Sequence, residues 1–252
     1  MTHQAPHRIG CSGIPSGLRR ARYFEKLNYL ECPETYSKPP RTKVLRSWAE
    51  TAIDGGLGLI ASRVMTHTVT AGYDEIPQEQ WAEAGGYRDT PVVRAAADRL
   101  AQQIEATGAK TVLFRSPSDL TRSAETRLRA FFGEIANRER LGEVVRVWEP
   151  GELWEMPAAA KLAAELDLVL AVDPLAESHL GGSAPRPVEL LPDDRPVYLR
   201  VRGLGRARSS FRDHEIEEIA EIVDRFPPSW AVFCNQDKNR DAGKLTALLK
   251  AS

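Results

Sequence analysis

Residues 197–203 read Val-Tyr-Leu-Arg-Val-Arg-Gly and set two arginines two positions apart in a segment otherwise rich in strand formers. Alternate side chains of a strand point to opposite faces. Val197, Leu199 and Val201 therefore form one apolar face, and Tyr198, Arg200 and Arg202 form the other. Guanidinium groups taken out of water need compensation, so this second face must look onto a bound anion, a wet cavity or the protein's own carboxylates. The forked donors of arginine match phosphate, sulfate and carboxylate oxygens two at a time. Arg63 and Arg115 end two other apolar runs, 57–63 and 109–115, in a comparable way. Similar runs end near Ser12, Glu31, Ser62, Glu149, Asp173 and Asn235, with Tyr36, His67 and Asp237 a few residues beyond.

Such polar residues can act together only if the chain brings the ends of these runs to one place. The runs at 7–13, 28–36, 57–63, 109–115, 143–149, 167–173, 196–203 and 229–235 read as eight strands. Helical periodicity separates most of them. At 40–54, Val44, Leu45, Trp48, Ala49 and Ala52 are spaced for one helical face. The segment 91–108 is amphipathic, with Pro91 in its first turn and Gly108 at its end. The helix at 118–137 is expected to start from a Ser118 or Asp119 cap. Further helical stretches lie at 18–27, 153–166 (with Pro157 as an awkward guest), 213–226 and 239–251. Residues 64–90 and 174–195 read as long connections; the first carries Trp81 and Tyr87 and is either a lid or a surface excursion. Repeated βα units imply a parallel sheet, and eight of them in 252 residues match an α/β fold of the TIM-like (β/α)8 barrel type, a single domain spanning 1–252 with a disordered tail at 1–6. A doubly wound open sheet would share the alternation, but residues 10–17 lack the G-x-G-x-x-G spacing.

A barrel collects its chemistry at the C-terminal ends of its strands. Arg63, Arg115, Arg200 and Arg202 are therefore candidate anion ligands, with Tyr36 beside them. Glu31 or His67 is the candidate acid or base, and Asn235 the orienting hydrogen-bond partner. The same arginines would equally form an internal network with Glu31, Glu149 and Asp173, and both arrangements can coexist. His67, Glu31, Asp173 and Asp237 are the only residues a metal could draft. The five histidines are few and the arginines would repel a cation, so no metal is expected, and no cofactor motif is present. Ser12 or Ser62 as a nucleophile would need His67 as its base. Cys32 and Cys234 share parity with Leu30 and Val232 and read as helix-facing packing residues.

The net charge of −1 makes no global case for nucleic acid; any electrostatic case must be local. The expected ligand is a small anion or a phosphate-bearing molecule. No apolar run approaches a membrane span, and residues 1–10 lack a signal-peptide pattern. Three unpaired-looking cysteines fit a reducing, cytoplasmic setting.

Several stretches carry a resemblance. The run 27–50 joins a strand ending in Glu31, the aromatic-proline segment Tyr36, Pro39 and Pro40, and Trp48 on the following helix. With Thr66-His67 after the third strand, Pro117 after the fourth, Tyr198-x-Arg200 on the seventh and Asn235 on the last, it resembles the domain of unknown function 72 (DUF72, YecE-like) family. The resemblance runs over nearly the whole chain and implies a TIM-like barrel. The sequence departs from that family at Ile14-Pro15-Ser16 (usually Trp-Ser-Tyr), Ser62 (Lys), Arg115 (a Gln nearby), Trp148-Glu149 (Arg-His) and Arg202-Gly203 (His-Gly). Glu31, Tyr36, His67, Arg200 and Asn235 keep the pattern. Two functions follow as expectations: a hydrolase acting on a phosphorylated or nucleic-acid-like substrate, or a binding protein that has lost its ancestral chemistry.

Overall fold

The computed structural model describes residues 7–68, 75–177, 185–202 and 210–251. The expected tail at 1–6 and Gly203 lie outside them. The eight strands are β1 (Arg8–Ser12), β2 (Tyr29–Cys32), β3 (Leu57–Ile60), β4 (Thr111–Arg115), β5 (Val145–Glu149), β6 (Val169–Val172), β7 (Tyr198–Val201) and β8 (Trp230–Phe233). Every neighbouring pair is parallel, and β8 closes onto β1 with Arg8 opposite Trp230 and Cys11 opposite Phe233. The fold is a TIM-like (β/α)8 barrel, and the open-sheet alternative is excluded. Both faces of each strand are buried, which is why the strands read as nearly continuous apolar runs.

The helices are α1 (Arg20–Phe24), α2 (Glu34–Ser37), α3 (Thr42–Ala49), α4 (Arg63–Thr66), α5 (Pro91–Thr107), α6 (Glu125–Ala130), α7 (Arg138–Leu141), α8 (Met156–Glu165), α9 (Asp213–Asp224) and α10 (Lys238–Ala251). In α5 the Thr90 hydroxyl accepts from Val93 N–H, Pro91 fills the first turn, and Gly108 closes the helix at φ 63°. Only a residue without a β-carbon takes that left-handed cap cheaply. Pro157 lies in the first turn of α8, where a missing N–H forfeits no helical bond. The expected cap at Ser118 or Asp119 is not used: a 3-10 turn at Arg122–Ala124 precedes α6. After α6 the chain widens into a π turn, Phe131–Ile135. The wider turn accompanies burial of the consecutive rings of Phe131 and Phe132, which meet Phe114 and Tyr87 edge-on or tilted.

Inside the barrel, Tyr29, Ile60, Leu113, Val147, Ala171, Tyr198 and Val232 form a separate apolar cluster. A chain of hydroxyls crosses it: Thr111 Oγ1 lies 2.5 Å from Tyr29 Oη, which lies 3.1 Å from Tyr198 Oη. Tyr198 Oη then donates to Glu31 Oε2 at 2.9 Å. Gly58 makes room for this chain, because a β-carbon there would fall 1.8 Å from Tyr29 Oη. The barrel interior thus leads upward, residue by residue, to the carboxylate at its mouth.

Candidate functional site at the barrel mouth

The parity expected for 197–203 holds. Val197, Leu199 and Val201 pack in the outer core against the helices, while Tyr198 and Arg200 face inward. Arg200 is only 5% exposed. One terminal nitrogen donates to Glu31 Oε1 at 2.9 Å and the other to Glu149 Oε2 at 3.1 Å. Glu31 is fully buried. Burial pushes its pKa up, but the Arg200 charge and hydrogen bonds from Ser12, Arg200 and Tyr198 outweigh it and hold the carboxyl below its ordinary range. Glu31 is therefore an ionised acceptor with its oxygens already engaged. Of the two arrangements left open by the sequence, the internal ion network is present, and Arg200 is its hub.

Glu149 is the second node. Besides Arg200 it receives Arg115 Nε at 3.0 Å and the Arg202 guanidinium. Arg202 also donates its backbone N–H to Asp173 Oδ2 at 3.2 Å, and Leu175 N–H donates to Asp173 Oδ1 at 3.1 Å. The outer arginines differ from Arg200 in exposure: the side chains of Arg115 and Arg202 are 34% and 44% exposed. Arg115 uses only Nε here, and its terminal nitrogens have no hydrogen-bond partner among the described residues. Both guanidiniums are less basic than usual, first through burial and then through the nearest guanidinium, Arg200 for Arg115 and Arg115 for Arg202. Three guanidiniums (Arg115, Arg200, Arg202) thus meet three carboxylates (Glu31, Glu149, Asp173) at the strand ends.

A second group flanks Arg115. Its guanidinium lies 5.2 Å from the centroid of the Tyr36 ring, a cation–π contact. Tyr36 Oη lies 3.2 Å from His67 Nδ1, and Thr66 Oγ1 lies 2.8 Å from the same nitrogen. Burial, then Arg115 and later Arg63, drive the His67 pKa down to about 4, so its imidazole is neutral at pH 7. The backbone that holds His67 is pinned from behind. Gly85, Gly86 and Tyr87 donate N–H groups to Val64, Thr66 and Met65 carbonyls at 2.7, 3.1 and 3.0 Å. Gly85 has φ +75°, and a β-carbon there would fall 1.8 Å from the His67 carbonyl oxygen. This part of 64–90 is a fixed buttress; residues 69–74 lie outside the described residues.

Other expected residues take different places. Arg63 opens α4 rather than ending β3, and its charge acts on Tyr36 and His67. Ser62 Oγ donates to Glu75 Oε2 at 2.6 Å and caps α4, so no histidine activates it. Asn235 is 7% exposed and donates through Nδ2 to buried Asp241 at 2.7 Å, tying the end of β8 to the first turn of α10. Cys234 is the correction. Val232 faces the barrel interior, so Cys234 faces the mouth, half-buried, while Cys11 and Cys32 pack against the helices. Burial raises the Cys234 thiol, and Arg200 and Arg202 oppose that rise. Parity along β8 was readable, but both of its faces are apolar and nothing in the run marks the inner one.

Among the described residues no group of three or more His, Cys, Asp or Glu is placed to hold a metal. No helix there is long and apolar enough to cross a membrane. A groove of about 490 Å3 opens at the opposite end of the barrel, lined by Arg138, Arg146, Asp167, Arg195 and Trp230 among others. Arg146 is committed there to the carbonyls of Phe132, Ala136, Leu166 and Asp167, and that end of a barrel serves stability.

No protein-family model matches the sequence, and no curated protein is significantly similar to it. Solved structures are similar in fold. A DUF72 family protein from Enterococcus faecalis V583 superposes with a TM-score of 0.72 at 13% identity, covering 99% of this chain and 100% of that one. The protein SacUVDE gives 0.57 at 10% identity over 97% and 98%. The IOLI protein, solved with a bound zinc atom, gives 0.56 at 11% identity over 96% and 97%. At these identities the likeness is one of architecture: over nearly its whole length, this chain has the (β/α)8 barrel fold of a DUF72 family protein.

Proposed function

We propose that the protein is a divergent DUF72-like barrel that binds a phosphate-bearing anion at its mouth. The observation that carries this reading is Arg115, whose terminal nitrogens are uncommitted among the described residues while its Nε is anchored on Glu149. Arg202 shares that anchor and the same partial exposure. An anion between the two would relieve their mutual repulsion and accept fork-shaped donation. Arg200 acts as a positioning residue that fixes Glu149, and Tyr36 supports Arg115 from below. Arg63 adds positive charge beside His67. Barrel membership licenses no reaction by itself.

A second reading, hydrolysis of the bound group, rests on His67. Its imidazole is neutral at pH 7 and neighbours Arg115, so of the acid and base roles it fits the base. Glu31, ionised and held by three partners, is then an electrostatic support rather than a proton carrier. Asn235 orients the end of β8 through Asp241.

The test is ligand-linked stability. Inorganic phosphate at a hundredfold excess over its dissociation constant stabilises a one-site protein by about 2.7 kcal/mol. Melting curves of the wild type should rise with phosphate, and those of Arg115→Met and Arg202→Met should rise much less. Equal phosphate responses in all three proteins would remove the mouth as the anion site.

A further inference from the structure

Residues 18–46 hold eight lysines and arginines against three glutamates, a formal +5 in a chain whose total is −1; the remainder therefore carries −6. One of the three, Glu31, is buried and engaged by Arg200. This segment supplies α1, α2 and the first half of α3, which follow the C-terminal ends of β1 and β2, so it starts at the mouth and descends the outside of the barrel. Arg20 Cζ lies 4.4 Å from the Trp48 ring centroid and ties α1 to α3. On α3 and at the ends of the two helices, Arg19, Lys26, Arg41, Lys43 and Arg46 are exposed, and none has an ion-pair partner among the described residues. On α3, Lys43 and Arg46 are three residues apart and share a face, while Leu45 and Trp48 face the core. The rim that follows β5 and β6 is of opposite sign, with exposed Glu152, Glu155 and Glu177, while after β4 the exposed Asp119 and Arg122 balance.

We infer that the ligand of the mouth is a strand of nucleic acid, whose phosphodiester backbone runs from Arg115 and Arg202 across the outer faces of α1 and α3. This rests on the anion-binding reading of the mouth and names its substrate class. A lone phosphate needs only the mouth arginines; a cationic track continuing beyond them over two helices fits an anion with repeating charges. A single strand suits the geometry better than a duplex. The mouth arginines are a third to under a half exposed, and a flexible backbone can lower one phosphate to them while its neighbours stay on the track. The acidic rim opposite repels the same backbone and sets the side on which it lies.

Fluorescence anisotropy with a labelled, 5′-phosphorylated single-stranded oligonucleotide, as DNA and as RNA, tests this on the full chain. Binding of either should weaken steeply with salt. The triple charge reversal Arg19→Glu/Lys43→Glu/Arg46→Glu should raise Kd at least about tenfold and lower the log–log salt slope by about 2, since each single-strand phosphate contact contributes about 0.7. The exposed Lys161→Glu on α8, on the far side, should leave both unchanged. Retained phosphate stabilisation with no oligonucleotide binding, or with binding that the triple reversal does not weaken, overturns the inference and leaves the mouth reading intact. Oligonucleotide binding unchanged in Arg115→Met and Arg202→Met, together with no phosphate response in the wild type, overturns the mouth reading. A sulfated polysaccharide of similar charge that binds as tightly as the oligonucleotide overturns the assignment to nucleic acid.

Discussion

Replacing Arg200 by methionine would remove the hub of the mouth network while keeping a side chain of similar length. Glu149 would keep Arg115 and Arg202, but Glu31, fully buried, would keep only neutral hydrogen-bond partners. Breaking a buried pair by deleting one partner typically costs about 3–5 kcal/mol, because it strands the other charge. For a chain of this size each kcal/mol moves the melting temperature by about 2–4 °C, so Arg200→Met should melt about 6–20 °C lower at pH 7. The pH dependence gives an independent check. In the wild type the Glu31 pKa is depressed, so its stabilisation is present above the unfolded value and is lost as pH falls through the folded one. In the variant, burial acts without the Arg200 charge and the folded pKa rises, so acidification relieves the strain. The gap between the two proteins should narrow from pH 7 towards pH 4.5. Glu31→Gln/Arg200→Met should be more stable than Arg200→Met alone, since no charge is stranded. Chemical denaturation across this pH range, read as a double-mutant cycle, measures all three quantities. A loss below about 1 kcal/mol at pH 7, with additive single effects, would refute the network as the reason for the buried arginine.

Two further outcomes follow from the mouth. The His67 pKa is lowered from 6.5 to about 4, so between those values the unfolded chain binds a proton that the folded protein refuses. Stability should therefore fall with pH through that window, by about 3 kcal/mol at most; His67→Gln should flatten the curve, and an imidazole NMR titration near 6.5 would contradict the burial of that ring. The parity of β8 predicts that a small thiol reagent labels Cys234 alone in the native protein, faster as pH rises, and reaches Cys11 and Cys32 only on unfolding. Absence of native labelling at Cys234 would contradict its placement at the mouth, and native labelling of Cys11, whose thiol burial pushes up to about 12, would contradict the packing of Cys11 against the helices.

Sequence periodicity determined the elements and their order. The eight observed strands fall inside the eight apolar runs, and α5 begins at Pro91 and closes at Gly108 as read, because these signals are local. The inward face of β7 was legible for the same reason: three branched or leucine side chains alternate with two guanidiniums, and only one face can meet the helices. Position at a strand end was legible too: Glu31, Arg115 and Arg200 lie on β2, β4 and β7, Arg202 directly follows β7, and Tyr36 and His67 lie a few residues beyond β2 and β3. What the tertiary structure alone decided is how they pair. Glu31, Glu149 and Arg200 lie on β2, β5 and β7, far apart in sequence, and whether an arginine meets a carboxylate or water depends on barrel stagger and side-chain reach rather than on spacing. The same holds for Cys234. On a strand buried on both faces, hydrophobicity does not distinguish inside from outside, so the face that looks into the mouth was set by closure of β8 onto β1.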